Sequence, residues 1–257
     1  MDFRELHRSG FFVLPNAWDP ASARLLSTLP GVPAIGTTSA GVAAALGRPD
    51  GERMPMVEMI KAVAAIVEAS AVPVSADLEG GYGDIRATVS AAVDVGVVGV
   101  NIEDTRYPDG VLRDAAEAAD RIAEARSAAP DVVLNARTDV WWSGPGGFDD
   151  GLDRLRRFVA AGADCVFAPG LPVAQITELV AALPGVAVNV LASPALPSLE
   201  TLAGMGVRRV STGSALARLA WGAARDAVTG VLGGAGFGGL AGTLSYQELT
   251  ETLDNRH

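Results

Sequence analysis

VPVSADLEGGYG, Val72 to Gly83, is the stretch that decides the fold. Val72, Val74 and Ala76 alternate with Pro73 and Ser75, the period of a buried strand, and the run ends in two carboxylates, Asp77 and Glu79. Gly80, Gly81 and Gly83 then allow the backbone to turn at positive φ and let a ligand approach closely. A parallel α/β fold keeps its chemistry at such a place, where the carboxyl end of a strand meets a glycine-rich turn. The competing reading is a solvated acidic loop.

Working outward, the same alternation recurs along the chain. Residues 2–9 read as a short amphipathic helix and Phe11 to Ala17 as a first strand, followed by a helix from Pro20 to Leu29 capped by Asp19. Ala34 to Ser39 is a second strand, and a long loop ending in Asp50 leads to the helix Pro55 to Ser70, just before the opening stretch. Strands at Val98 to Asp104, Val132 to Val140, Cys165 to Gly170, Val186 to Ala192 and Arg208 to Ser214 alternate with helices at Asp84 to Val95, Asp114 to Ala129, Phe148 to Ala161, Pro172 to Leu183 and Ser198 to Met205. A helix from Ala215 to Leu232 completes the eighth unit. Eight units with near-continuous apolar strands predict an α/β fold of the (β/α)8 TIM-barrel type, and the absence of G-x-G-x-x-G after the first strand argues against dinucleotide binding.

One domain is expected over 1–257: a barrel over 1–232, a glycine-rich hinge over 233–245 (GGAGFGGLAG within it) and a last helix over 246–257. A helix on such a hinge either packs on its own barrel or reaches a neighbouring subunit. With 257 residues, 49% of them hydrophobic, the chain can bury a large core. The net charge of -10 argues against nucleic acid, and neither a membrane span nor a signal peptide is evident, so a cytoplasmic protein with small-molecule partners is expected. Cys165 is the single cysteine and reads as core; Lys61 is the single lysine and falls in a helix; the two histidines, His7 and His257, lie near the termini. Imidazole metal sites, thiolate clusters and Schiff-base chemistry are therefore not expected.

In a barrel, Asp77, Glu79 and Glu103 come from adjacent strand ends, and Asp50 can reach the same mouth. Four acids without a lysine or histidine nearby call for a divalent cation, and oxygen-only ligands point to Mg2+ or Mn2+ held by one or two direct carboxylates. Arg137 either clamps a substrate carboxylate or forms a salt bridge with Glu103 or Asp139. Thr38, Ser39 and Ala40 end the second strand with amides and hydroxyls suited to a carboxylate or an oxyanion, and Asn101, Asn189 and Ser193 are further polar candidates. The STGS run at Ser211 to Ser214 is either a phosphate cradle or a plain helix cap, and Trp141 and Trp142 either wall the mouth or cover its rim.

Five ordered segments carry a resemblance spanning nearly the whole chain: PNAWDPASARL (Pro15 to Leu25), TTSAGVAAALGRPDG (Thr37 to Gly51), SADLEGGYG (Ser75 to Gly83), NIEDT (Asn101 to Thr105) and NARTD (Asn135 to Asp139). Together they resemble the isocitrate lyase/phosphoenolpyruvate mutase superfamily. The resemblance implies a (β/α)8 barrel, a last helix swapped between subunits of a homodimer or homotetramer, and a magnesium-bound alpha-keto or alpha-hydroxy acid. By the same resemblance, Asp77 contacts the metal directly, Asp50, Glu79 and Glu103 act through water, Arg137 binds the substrate carboxylate, and Thr38 to Ala40 hold the carboxylate and oxyanion. The implied chemistry makes or breaks a carbon–carbon bond beside a metal-stabilised enolate; the alternatives are a carbon–phosphorus bond enzyme and a silent keto-acid-binding barrel. Lyases of the family carry K-[KR]-C-G-H after strand four, whereas this chain has TRYPDGVLRDAAEA (Thr105 to Ala118), which leaves Arg106 and Tyr107 as the candidates for acid/base chemistry.

Overall fold

The computed structural model describes residues 2–142 and 146–254. Residues 143–145 of the loop expected after the fifth strand, and 255–257 of the last helix, lie outside the described residues. All strands of the main sheet are parallel, and the sheet closes on itself. Its first strand, β1, is broken into Phe12–Leu14 and Asn16–Ala17, the first piece pairing with the last strand and the second with the next one. Pro15 makes the break because it has no N–H for a ladder, while its carbonyl still accepts from Gly36 at 2.8 Å. The nine hydrogen-bonded segments thus form eight barrel strands. The other seven are β2 (Ile35–Thr37), β3 (Val74–Asp77), β4 (Gly99–Glu103), β5 (Val133–Arg137), β6 (Cys165–Phe167), β7 (Ala187–Leu191) and β8 (Arg209–Ser211).

The helices follow the reading with one addition. Before β1 comes α1 (Phe3–Arg8); around the barrel run α2 (Pro20–Ser27), α3 (Ser39–Ala45), α4 (Met56–Ala69), α5 (Ile85–Asp94), α6 (Ala115–Ala128), α7 (Phe148–Ala160), α8 (Ile176–Ala182), α9 (Leu199–Gly204) and α10 (Ala215–Leu232). The addition is α3, which occupies the start of the expected long loop: Thr38 leaves the strand as an N-cap and the small residues SAGVAAA propagate the helix. Asp19 and Ser22 form a capping box that starts α2, with Pro20 at its first turn. On α4, Met59, Ile60, Val63 and Ile66 are buried on one face, each burial stabilising by about 1.5 to 3 kcal/mol.

The amino-terminal end of the barrel is closed by α1, which packs Phe3 and Leu6 on Phe12, Leu14, Ala34 and Val133. Arg4 and Arg126 both pair with Asp164, tying α1 and α6 to the turn before β6. The carboxyl end stays open, and a small hairpin of Thr105–Arg106 with Val111–Leu112 follows β4. After α10 the glycine-rich segment folds back on it, and α11 (Tyr246–Asp254) packs against α2 of its own chain. Among the described residues no helix is long and apolar enough to cross a membrane.

Candidate active site

A cavity of about 350 Å³ opens at the carboxyl ends of the strands. Register places its side chains: Asp77 on β3 pairs with Asn101 on β4, and Glu103 at the end of β4 pairs with Arg137 at the end of β5. Asp77 is held firmly. Its Oδ2 accepts from the Ser39 amide at 3.0 Å and hydroxyl at 2.9 Å, and its Oδ1 accepts from Asn101 Nδ2 at 3.0 Å. Asn101 is oriented in turn by Asn135, whose Nδ2 donates to Asn101 Oδ1 at 2.7 Å. Asp50 lines the same wall from the open rim, and its carboxyl is held above the usual range by partial burial and then by the charge of Asp77.

The other two acids stand apart from the cavity. Glu79 is buried in the left-handed region at φ 51, accepts from the Glu52 amide and the Tyr82 hydroxyl, and is pushed up to about 7, mainly by burial. Glu103 is buried beneath Tyr107, whose hydroxyl donates to it, and burial raises its carboxyl well above the usual range against the pull of Arg137. Among the described residues, no three His, Cys, Asp or Glu side chains are grouped so as to hold an ion by themselves.

Both salt bridges considered for Arg137 are present: Nη1 meets Glu103 Oε2 at 2.8 Å and Nε meets Asp139 Oδ1 at 2.6 Å, with the guanidinium 5.7 Å from the centre of the Phe167 ring. Nη2 belongs to neither pair, and Arg137 lines the cavity. The Thr38 to Ala40 segment contributes less than three free amides. Thr38 N donates to Ala17 O at 3.1 Å and Ser39 N to Asp77, which leaves Ala40, in the first turn of α3, as the amide outside these bonds. Gly41 lets that turn seat against its neighbours, since a Cβ there would lie 2.8 Å from the Cβ of Trp18.

Ser193 and Trp142 line the cavity, while Trp141 packs on Phe148 behind the rim. Asn189 is buried and donates to Ser211 Oγ at 3.0 Å. Arg106 points away to Asp109 at 3.3 Å with its side chain half exposed, so the structure does not bring it to the mouth. In the STGS run the amides of Thr212 and Gly213 both donate to Asn16 Oδ1, at 2.8 and 3.0 Å, and Ser214 precedes α10 without a side-chain cap bond. Cys165 is core, with its thiol pushed up to about 12 by burial.

Among the cavity residues that sequence reasoning missed are one amide and two cations. Asn16 joins β1 to the β8–α10 turn; its signal was a polar residue in an apolar strand, directly after the strand-breaking proline. Arg209 and Arg218 line the cavity together with Arg137; Arg209 was legible as a charge in the strand RRVS.

A family model described as phosphoenolpyruvate phosphomutase matches residues 3–232. This chain belongs to the isocitrate lyase/phosphoenolpyruvate mutase superfamily. An uncharacterized protein of Mycobacterium tuberculosis (strain H37Rv) is 39% identical over 218 residues, 83% of this chain and 82% of that protein. Oxaloacetate decarboxylase 2 of Pseudomonas fluorescens (strain Pf0-1) is 31% identical over 214 residues, 78% of this chain and 72% of that enzyme. The structure of oxaloacetate acetylhydrolase in complex with the product oxalate superposes with a TM-score of 0.85 at 26% identity, covering 98% of this chain and 92% of that one. The superfamily's relatives of this chain include lyases, and its barrel is of the same type.

Proposed function

We propose that this chain is a Mg2+- or Mn2+-dependent lyase that makes or breaks a carbon–carbon bond next to the enolate of a small 2-keto or 2-hydroxy acid. The observation that carries the reading is the charge arrangement of one cavity: Asp77 and Asp50 side by side on one wall, neither in an ion pair among the described residues, with Arg137 facing in from β5. Two neighbouring carboxylates of which one already resists ionisation fit a hard dication, with Asp77 as the direct ligand and Asp50 nearby. When bound, such an ion supplies positive charge for the oxygen on which an enolate develops.

The chain's own residues do the positioning. Arg137, pinned at two of its nitrogens, keeps Nη2 for the carboxylate of the substrate, and the first turn of α3 adds the Ala40 amide. Tyr107 holds Glu103, which holds Arg137, so this hydroxyl acts through the clamp. Burial and the neighbouring Glu103 raise the phenol far above its ordinary value, so it stays protonated. Oxaloacetate, named for two of the relatives above, is an acid of the expected class. A carbon–phosphorus reaction is favoured by the description of the family model, but two of the β8–α10 amides, those of Thr212 and Gly213, are taken by Asn16.

The test is a screen of 2-keto acids, malate derivatives and phosphonopyruvate with Mg2+, read for pyruvate, oxalate or phosphate release. Release of a 2-keto or 2-carboxy product from a carbon substrate supports the lyase reading. Phosphate release from phosphonopyruvate alone overturns it in favour of carbon–phosphorus chemistry, and tight keto-acid binding without turnover marks a silent barrel.

A further inference from the structure

The interior of this barrel is polar below the level of Asp77. Asn135 and Asn189 face inward with Ser75 and Arg209, and the last two also line the floor of the cavity. Arg209 begins β8 and is 3% exposed. Its Nε and Nη1 are buried with no hydrogen-bond partner among the described residues, and it belongs to no ion pair identified there. Several other arginines of the barrel are paired with carboxylates: Arg137 with Glu103 and Asp139, Arg154 with Asp104, and Arg4 and Arg126 with Asp164; half-buried Arg121 is not, but its Nη2 donates to Gly80 O. Among the described residues no carboxylate forms an ion pair with Arg209, although the charge of Asp77 reaches it. An uncompensated guanidinium in a barrel core is costly, because desolvation is not offset by a partner. Open access to the cavity gives that charge something to meet.

Depth sets what it can meet. Arg209 lies two residues before Ser211 on β8 and Ser75 two residues before Asp77 on β3, and all four line the cavity, so Arg209 and Ser75 mark its deeper end. With the rise and tilt of barrel strands, that two-residue step is roughly 5 to 7 Å. That is about the reach between the outer oxygens of a four-carbon diacid.

We propose that Arg209 forms a second anion position on the floor of the cavity, and that it takes the distal carboxylate of a diacid whose other carboxylate is held at the Arg137 level. This inference deepens the lyase reading and rests on it: it names the substrate as a diacid. The competing account is structural, with Arg209 filling the barrel and satisfied by the amide oxygens of Asn135 and Asn189, which also lack partners.

Calorimetric titration with Mg2+ separates the two, using malate and lactate, which share the 2-hydroxy acid head and differ in the distal carboxylate, and oxalate, which is too short to reach the floor. The parent chain should bind malate at least tenfold more tightly than lactate. In Arg209→Gln the malate-to-lactate ratio should fall to within about twofold of one, while oxalate affinity stays within about twofold of the parent and shows that the mouth is intact. Arg209→Lys, which keeps the charge without the fork, should retain part of the ratio, and it carries the decision if the Gln variant fails to fold. A ratio unchanged in both variants overturns the proposal. So does a ratio that survives Arg209→Gln but collapses in Arg218→Gln, which would put the distal carboxylate at the rim. If oxalate does not bind the parent chain with Mg2+, the lyase reading falls and this inference with it; if oxalate binds and the ratio ignores Arg209, only the inference falls.

Discussion

Replacing Asn16 by Leu should loosen the join between the two ends of the barrel sheet. Asn16 Oδ1 accepts from Thr212 N at 2.8 Å, Gly213 N at 3.0 Å and Thr212 Oγ1 at 3.2 Å, and its Nδ2 donates to Thr37 O at 2.6 Å. Leucine has nearly the same shape and none of these groups, so two backbone amides and one carbonyl lose their partner. A buried group left unpaired costs about 1 to 3 kcal/mol, and Thr212 and Gly213 are only half-buried, which puts their share at the low end. The sum is about 2 to 4 kcal/mol. Asn16→Ala opens room for water to reach the same amides and should cost about 1 kcal/mol less. Urea unfolding followed by circular dichroism measures both, with the slope unchanged and only the midpoint moved. If Asn16→Leu cost less than 1 kcal/mol, the β1-to-β8 closure would not depend on this side chain and the reasoning would be wrong.

Three further outcomes follow from the same geometry. His7 is buried against Phe3 and Phe12 with its titration lowered to about 4, first by burial and then by Arg209, so between about pH 6.5 and 4 the unfolded chain binds the extra proton and stability falls as pH drops. The loss reaches roughly 3 kcal/mol at the acid end, and His7→Leu should flatten that part of the stability–pH curve; an identical curve would clear His7 of the effect. Gly99→Ala should cost about 1 to 3 kcal/mol by overpacking, because a Cβ there would lie 2.5 Å from the Phe3 ring, and a neutral thermal melt would show that α1 can move aside. Leu232, Phe237 and Tyr246 are 83, 73 and 88% exposed, an apolar strip beyond the barrel that fits a homodimer or homotetramer contact; light scattering should show an oligomer that Phe237→Glu with Leu232→Glu weakens, and a monomeric parent chain would refute it.

The barrel was legible because its signals are local. Val72 to Asp77 reads as a strand from its period alone, Asp19–Pro20 and Asp84 start helices by capping chemistry, and the alternation repeats often enough to count. Acids and Arg137 at strand ends were legible for the same reason. What was not legible depends on distant partners. The Ser39 amide is spent on Asp77, 38 residues away, and the Thr212 amide on Asn16, 196 away, so no local pattern shows which amides stay free. Glu79 and Glu103 read as mouth acids, yet tyrosines hold both away from the cavity. Thr38 and Ser39 read as the end of a strand and Ala40 to Ala45 as loop because alanine and glycine carry no apolar stripe, while the Thr38 N-cap and the helix propensity of alanine make Ser39–Ala45 a helix. Arg106 read as a candidate beside Tyr107, but the hairpin turns alternate side chains to opposite faces and sends it to solvent.

The central claim is that Asp77, a divalent cation and Arg137 form one site for an enolate-like dianion. Titrating oxalate, a planar mimic of that dianion, into the parent chain, Asp77→Ala and Arg137→Lys, each with and without Mg2+, tests it most directly. The account predicts tight binding only to the parent chain with Mg2+, near loss of binding in Asp77→Ala, and a weakening of roughly 1.5 to 3 kcal/mol in Arg137→Lys, the scale of one charge-assisted hydrogen bond. Oxalate affinity that is the same with and without Mg2+, and the same in all three proteins, would contradict it.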